Sequence, residues 1–226
     1  NKALTWGMYQ GTNPVKGVKM PSIQNQKTRF LSREQAEKLL DSLSEMTRPD
    51  LHDMTLLSLH TGMRAGEIFN LRGNALDFQN DIIRIVDPKN KQTRHAYMTK
   101  KVREMLLKRK PDAPENFVFP DRNGKKIVSI SQSFPKIIKK LGFNKNVIDD
   151  REKVTFHTLR HSFASWLAMQ GESLITIRDL LGHKTTGMSE RYSHLIPDHK
   201  RRAAELLEDN FTNGNKIAKI NNIKSI

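Results

Sequence analysis

Apolar residues in this chain recur mostly at helical spacing and alternate in one stretch only. Leu39, Leu40 and Leu43 follow Ser32 and Gln35, a spacing that predicts a helix opened by a capping box. Met54, Leu56, Leu57 and Leu59 predict a second helix from about Asp50 to Thr61, with Gly62 placed to end it. Arg64 comes next, then a short helical stretch through Glu67, Ile68 and Leu71. Residues 81–86 read as a strand, 88–93 as a polar turn and 94–98 as the returning strand, which makes a hairpin. Thr99 is placed to cap a helix carrying Val102, Met105, Leu106 and Leu107. Residues 117–120 are short and apolar, and 121–126 form a basic turn. A helix is expected over 131–141, with Pro135 in its first turn and Gly142 as its stop. Leu159, Phe163, Trp166 and Leu167 predict a helix running to about Gly171, with His157 and Arg160 projecting from its exposed start. Ser173 caps Leu174 to Leu181, Gly182 turns the chain to present His183, and a short segment holds Met188, Arg191 and Tyr192. Pro197 opens a last helix with Ala203, Ala204, Leu206 and Leu207. The expected class is mainly α with a small antiparallel β-sheet, an α+β fold.

Domain limits follow from where this periodicity starts and stops. Residues 1–28, broken by Gly11, Pro14, Gly17 and Pro21, read as a linker, and Trp6 and Tyr9 as the last trace of a preceding region. Residues 29–212 read as the folded domain, and 213–226 as a flexible or partner-docking tail. The chain starts with Asn rather than Met, so a longer protein is expected.

Composition sharpens the choice of partner. The 226 residues are 36% hydrophobic and 28% charged, as in a soluble globular protein, and the formal net charge is +15. Such an excess points to a polyanion, nucleic acid first. There is no cysteine, which excludes disulfides, thiolate-bound zinc and thiol catalysis. No apolar run approaches the ~20 residues that cross a bilayer, and the start lacks a signal-peptide pattern.

The candidate chemistry lies at element ends and turns: Arg64, Lys89, His157, Arg160, His183 and Tyr192. Taken alone, His157 and Arg160 at a helix start are either an anion site or an ordinary solvated helix end. As a set without a carboxylate pair, the six residues suit phosphoryl transfer. Two guanidiniums can clamp non-bridging oxygens, a lysine can protonate a leaving oxygen, and a tyrosine hydroxyl can attack. Glu67, three residues after Arg64, reads as a support that pairs with a base on the same helix face. His157 and His161 have the spacing of a zinc helix but no Glu between them, so His161 and His194 read as structural.

Four boxes, in order, and a turn between the first two resemble those of the tyrosine recombinases, the phage integrase family. Residues 61–68 (Thr-Gly-Met-Arg-Ala-Gly-Glu-Ile) resemble the first arginine box, and 157–161 (His-Thr-Leu-Arg-His) the His-x-x-Arg box. Residues 180–183 and 188–194 resemble the closing boxes, with Tyr192 nine residues after His183. Residues 88–94 resemble the turn carrying a lysine, although Pro88 replaces a Thr and Lys91 rivals Lys89. The resemblance covers about residues 29–208 and implies the catalytic-domain fold of that family. Tyr192 would attack the scissile phosphate and hold DNA as a 3′-phosphotyrosine. Arg64 and Arg160 would stabilise the transition state, and Lys89 would protonate the 5′-oxygen. His157 would bond the phosphate or take the tyrosine's proton, and His183 would donate to a non-bridging oxygen. The resemblance further implies double-stranded DNA as partner, a homotetramer on DNA against a monomer without it, and a cytoplasmic, DNA-associated protein of bacterial or phage origin. It implies no membrane, no metal and no cofactor, and a missing N-terminal DNA-binding region. A type IB topoisomerase and a DNA-binding regulator without catalysis remain the alternatives.

Overall fold

The computed structural model describes residues 2–18, 27, 29–47, 49–86 and 93–197. Ahead of the domain lie a single helical turn, α1 (Lys2–Thr5), and a 3-10 turn at Pro14–Gly17, with Trp6 and Tyr9 exposed. The domain proper opens at α2 (Arg33–Ser44), and the expected capping box is formed. The Gln35 N–H donates to Ser32 Oγ (3.2 Å), and the Ser32 N–H donates to Gln35 Oε1 (3.1 Å). The second expected helix is α3 (Asp50–Thr61), which ends as predicted at Gly62 in the left-handed region, φ 66°. A Cβ at Gly62 would come within 2.6 Å of the Phe163 ring and 2.9 Å of Leu181, so the position is reserved for glycine by sterics as well as by φ.

A short helix α4 (Ala65–Phe69) leads to a three-stranded antiparallel sheet of β1 (Leu76–Asp77), β2 (Ile82–Val86) and β3 (Thr93–Tyr97), ordered β1-β2-β3. The hairpin pairs Ile83 with Ala96 and Ile85 with Arg94. Alternation puts Ile83, Ile85 and Ala96 in the core while Arg84, Val86 and Tyr97 stay exposed. Its turn, with Lys89 and Lys91, lies outside the described residues.

Thr99 departs from expectation. It precedes α5 (Lys100–Lys108) but its side chain makes no cap; its hydroxyl lies 2.9 Å from His60 Nδ1 instead. Residues 117–126 bridge back to the rest of the fold. Val118 N–H donates to Leu71 O (2.9 Å), Phe119 is fully buried, and Asp121 accepts from the Asn123 and Lys125 amides (2.8 Å each). The helix α6 (Ser133–Lys140) has Pro135 in its first turn as expected.

Two helices organise the rest: α3, packed against α2, α4, α5 and α7, and α7 (Phe156–Met169), which also contacts α8 (Leu174–Leu181). The prediction for α7 needs correcting. Its apolar stripe is buried as expected at Leu159, but the opposite face is buried too, through Thr158, Ser162, Ala164, Ser165 and Ala168. Small side chains there allow close helix packing, and backbone groups satisfy two of the hydroxyls: Ser162 donates to Thr158 O (2.9 Å), and Thr158 Oγ1 accepts the Thr155 N–H (2.9 Å). The main core, built on Leu39, Leu57, Ile68, Leu106, Phe119 and Leu159, is joined by a smaller cluster of Ala164, Ala168, Ile177, Leu181 and Tyr192. The helix expected from Pro197 and the tail lie outside the described residues. Among the described residues no helix is long and apolar enough to cross a membrane.

Candidate functional site

The site forms where α4, β3, α7 and the turn after α8 meet. Arg64 stands at the start of α4, half open to solvent with its side chain 40% exposed. Glu67, one turn on, accepts the Arg64 backbone N–H (2.7 Å) and its guanidinium (3.1 Å). The same carboxylate accepts Arg94 Nη2 from β3 at 2.8 Å and has Arg160 Nη1 from α7 at 4.0 Å. One carboxylate therefore gathers three guanidiniums from three elements, the supporting role expected of Glu67, extended to two partners distant in sequence.

Arg160 overturns its expected placement. It does not project from an exposed helix start; it is 2% exposed and stretched through the interior. Its guanidinium donates to Gly62 O (2.6 Å) and Leu181 O (2.5 Å), two carbonyls at the ends of α3 and α8. Helix C-terminal carbonyls lack intrahelical donors and carry partial negative charge, so they compensate a buried cation. Burial first, then Arg64, lower its pKa to about 9, so it remains charged at neutral pH. Arg94 makes a parallel link, donating to Leu180 O (2.7 Å) beneath Gly182, where a Cβ would strike its side chain. That glycine (φ 64°) turns the chain to His183.

His183 is fixed by Ser189, whose buried hydroxyl lies 2.9 Å from Nδ1, leaving Nε2 as the nitrogen for an external partner. Burial, followed by Arg160, Arg64, Arg191 and Arg94, lowers its pKa to about 3. His157 is exposed at the rim, and burial then Arg160 and Arg64 lower its pKa as well. Its ring meets His161 edge to face, centroids 4.7 Å apart.

Tyr192 sits in a 3-10 turn, Glu190–Leu195, and is only 4% exposed. Its hydroxyl lies 2.8 Å from His161 Nδ1. Burial raises its pKa, with Arg191 and Arg160 opposing. The structure thus brings Arg64, His157, Arg160, His183 and Tyr192 together, while Lys89 lies outside the described residues. Sequence reading passed over Arg94, His161 and Ser189 as parts of the site. His161 had a legible signal, being one residue after Arg160 and one helical turn after His157, and so had Arg94, which closes the 88–94 motif.

His161 carries a pH consequence. Burial, then His157, Arg191, Arg160 and His183, lower its pKa to about 3. Its folded pKa is below the unfolded one, so its contribution to stability is complete above about pH 6.5 and declines as pH falls below that. One such histidine removes ~1.4 kcal/mol per pH unit in that window. Between pH 7.5 and pH 5 His161 should account for about 2 kcal/mol of lost stability, read as the difference between the urea-unfolding pH profiles of wild type and His161→Gln, because His183 titrates in the same window; identical slopes would contradict the burial of an uncharged imidazole.

The arrangement suits an anion: Arg64, Arg94 and Arg160 meet at one carboxylate, and Arg191 lies near the uncharged His161 and His183 imidazoles and the Tyr192 hydroxyl. Among the described residues there is no group of three metal-binding side chains. Residues 29–199 match the phage integrase family profile. A tyrosine recombinase of Pseudothermotoga lettingae is 29% identical over 193 residues, covering 83% of this chain and 64% of its own length. An integrase of Escherichia phage 186 is 28% identical over 206 residues, covering 91% and 56%. The chain thus spans less than two thirds of either relative. The catalytic domain of bacteriophage HP1 integrase shares the fold at a TM-score of 0.61 and 24% identity, over 78% of this chain and 94% of that domain.

Proposed function

This chain belongs to the phage integrase family, and from that premise we propose that it is the catalytic domain of a site-specific DNA recombinase. The observation that carries the reading is the convergence of Arg64 and Arg160 on Glu67, beside a tyrosine packed on the same helix as Arg160. Tyr192 attacks a DNA phosphodiester and forms a 3′-phosphotyrosyl bond. Arg64 and Arg160 bind the non-bridging oxygens and offset charge on the pentavalent transition state. His183 donates from Nε2, and His157 bonds the phosphate from the rim. Lys89, with Lys91 as its rival, protonates the departing 5′-oxygen. The covalent bond keeps the energy of the cleaved linkage for rejoining to another strand. The relatives named above are a recombinase and an integrase, which supports this reading over a topoisomerase or a regulator without catalysis.

Double-stranded DNA is the partner, and four copies assemble on two DNA sites. The segment 197–226, with Ile217, Ile220 and Ile223, docks on a neighbouring copy. Residues 1–28 serve as the linker to a DNA-binding region, 29–212 as the catalytic domain, and the setting is the cytoplasm. The test is covalent trapping on nicked duplexes tiled across the DNA that flanks the gene. A nick beside the scissile bond lets the short 5′-fragment diffuse away. The expected result is a protein–DNA adduct resistant to denaturant, with the DNA mapped by peptide mass to Tyr192. An adduct on another residue, or none on any duplex, would refute the assignment.

A further inference from the structure

We propose that His161, rather than His157, takes the proton from Tyr192 during strand cleavage, the imidazole Nδ1 being 2.8 Å from the tyrosine hydroxyl in a buried contact. The inference rests on the recombinase reading and adds a residue to it. General-base catalysis requires the base within hydrogen-bond reach of the proton it removes, about 2.6–3.2 Å. His161 meets that requirement, at 6% exposure against a tyrosine at 4%. His157 lies at the exposed rim and meets the edge of the His161 ring. The two histidines thus divide their work, the outer facing the phosphate and the inner facing the nucleophile.

The charge pattern favours a neutral His161 with a free lone pair. His157 and Arg160 face it from α7, His183 from the turn after α8, and Arg191 from the 3-10 turn that carries Tyr192. With the imidazole uncharged and its proton on Nε2, the tautomer this step requires, the phenol donates and Nδ1 accepts. A bound phosphodiester brings negative charge among these cations and makes His161 a stronger base when substrate is present. The step balances as a two-electron displacement. The Tyr192 O–H bond breaks and the proton goes to Nδ1 as the tyrosine oxygen bonds to phosphorus. The bond from phosphorus to the 5′-oxygen breaks, and that oxygen takes a proton from the hairpin lysine. In rejoining, the 5′-hydroxyl returns its proton to the hairpin lysine as its oxygen bonds to phosphorus, the bond from phosphorus to tyrosine breaks, and His161 returns its proton to the phenolate.

The experiment measures single-turnover adduct formation on the nicked duplex that traps the wild-type protein, from pH 6 to 9.5. It compares wild type with His161→Gln and His161→Ala. Glutamine can still bond the phenol but accepts no proton, so both variants should cleave about 100-fold more slowly at pH 7 while binding the duplex with the wild-type Kd. The deficit should then shrink by about tenfold per pH unit as hydroxide takes over the proton. His161→Gln cleaving at the wild-type rate would overturn the proposal, as would a deficit equal at every pH or a parallel loss of DNA binding, the marks of structural support. Absence of adduct with the wild-type protein would instead refute the recombinase reading and the inference with it.

Discussion

Arg160→Ala is expected to slow strand cleavage by about 10³-fold or more, the scale of removing a guanidinium that neutralises a phosphoryl transition state. That factor corresponds to ~4 kcal/mol of barrier. A second loss comes with it, because Arg160 is the donor that joins Gly62 O to Leu181 O. Truncation leaves both carbonyls without that donor in a closed interior, at ~1–3 kcal/mol each. Arg160→Lys separates the two effects. Its ammonium restores a charge but cannot reproduce the planar fork that reaches two carbonyls and still presents an N–H to phosphate. Stability should therefore recover further than cleavage. The checks are urea unfolding and single-turnover adduct formation on the same preparations. A lysine variant that cleaves like wild type would show that only the charge of Arg160 matters.

Glu67→Ala is expected to cost about 3–5 kcal/mol of folding stability, the range for removing one partner from a buried ion pair. The carboxylate is 17% exposed and faces Arg94 at 13%, with Arg64 and Arg160 also within its reach. Without it, like charges face each other across α4, β3 and α7. Arg94 suffers most, since burial already lowers its pKa and Glu67 is the group that raises it. Adding Arg94→Met to Glu67→Ala should recover a large part of the loss, a non-additivity that a double-mutant cycle reads directly. Simple additivity of the two substitutions would mean that the ion pair carries no net energy. Cleavage should stay impaired in the double variant, because Arg64 would still lack the carboxylate that anchors it.

Much of the frame was legible because local rules decide it. The capping box at Ser32, the span of α3, the left-handed stops at Gly62 and Gly182 and the alternation around Ile83 and Ile85 each depend on neighbouring residues. The family motifs brought the site residues onto one list. What they could not show was depth. Arg160 reads from sequence as a surface charge, and its burial depends on carbonyls 98 and 21 residues away. The hydroxyl positions of α7 carry no sequence signal of burial, whereas Ser162 donates to the Thr158 carbonyl and the Thr158 hydroxyl accepts the Thr155 N–H inside the fold. Arg94 finds Glu67 across 27 residues, and His161 finds Tyr192 across 31. No periodicity encodes such pairs; the fold creates them when β3 and the 3-10 turn close on α4 and α7. The two-residue strand β1 was missed because so short a stretch carries no alternation.

The buried polar side of α7 has a mechanical consequence. Ser162 Oγ accepts the Leu31 N–H (2.8 Å), and Trp166 Nε1–H donates to the Leu31 carbonyl (2.9 Å). Both backbone groups of Leu31, itself fully buried, are thereby clamped to the helix that carries Arg160. Residue 31 is thus tied at both its N–H and its carbonyl to the helix of the site. Any swivel between this domain and the segment before it has its pivot upstream of Leu31, so torque from that side reaches Arg160 through two hydrogen bonds rather than through a slack tether.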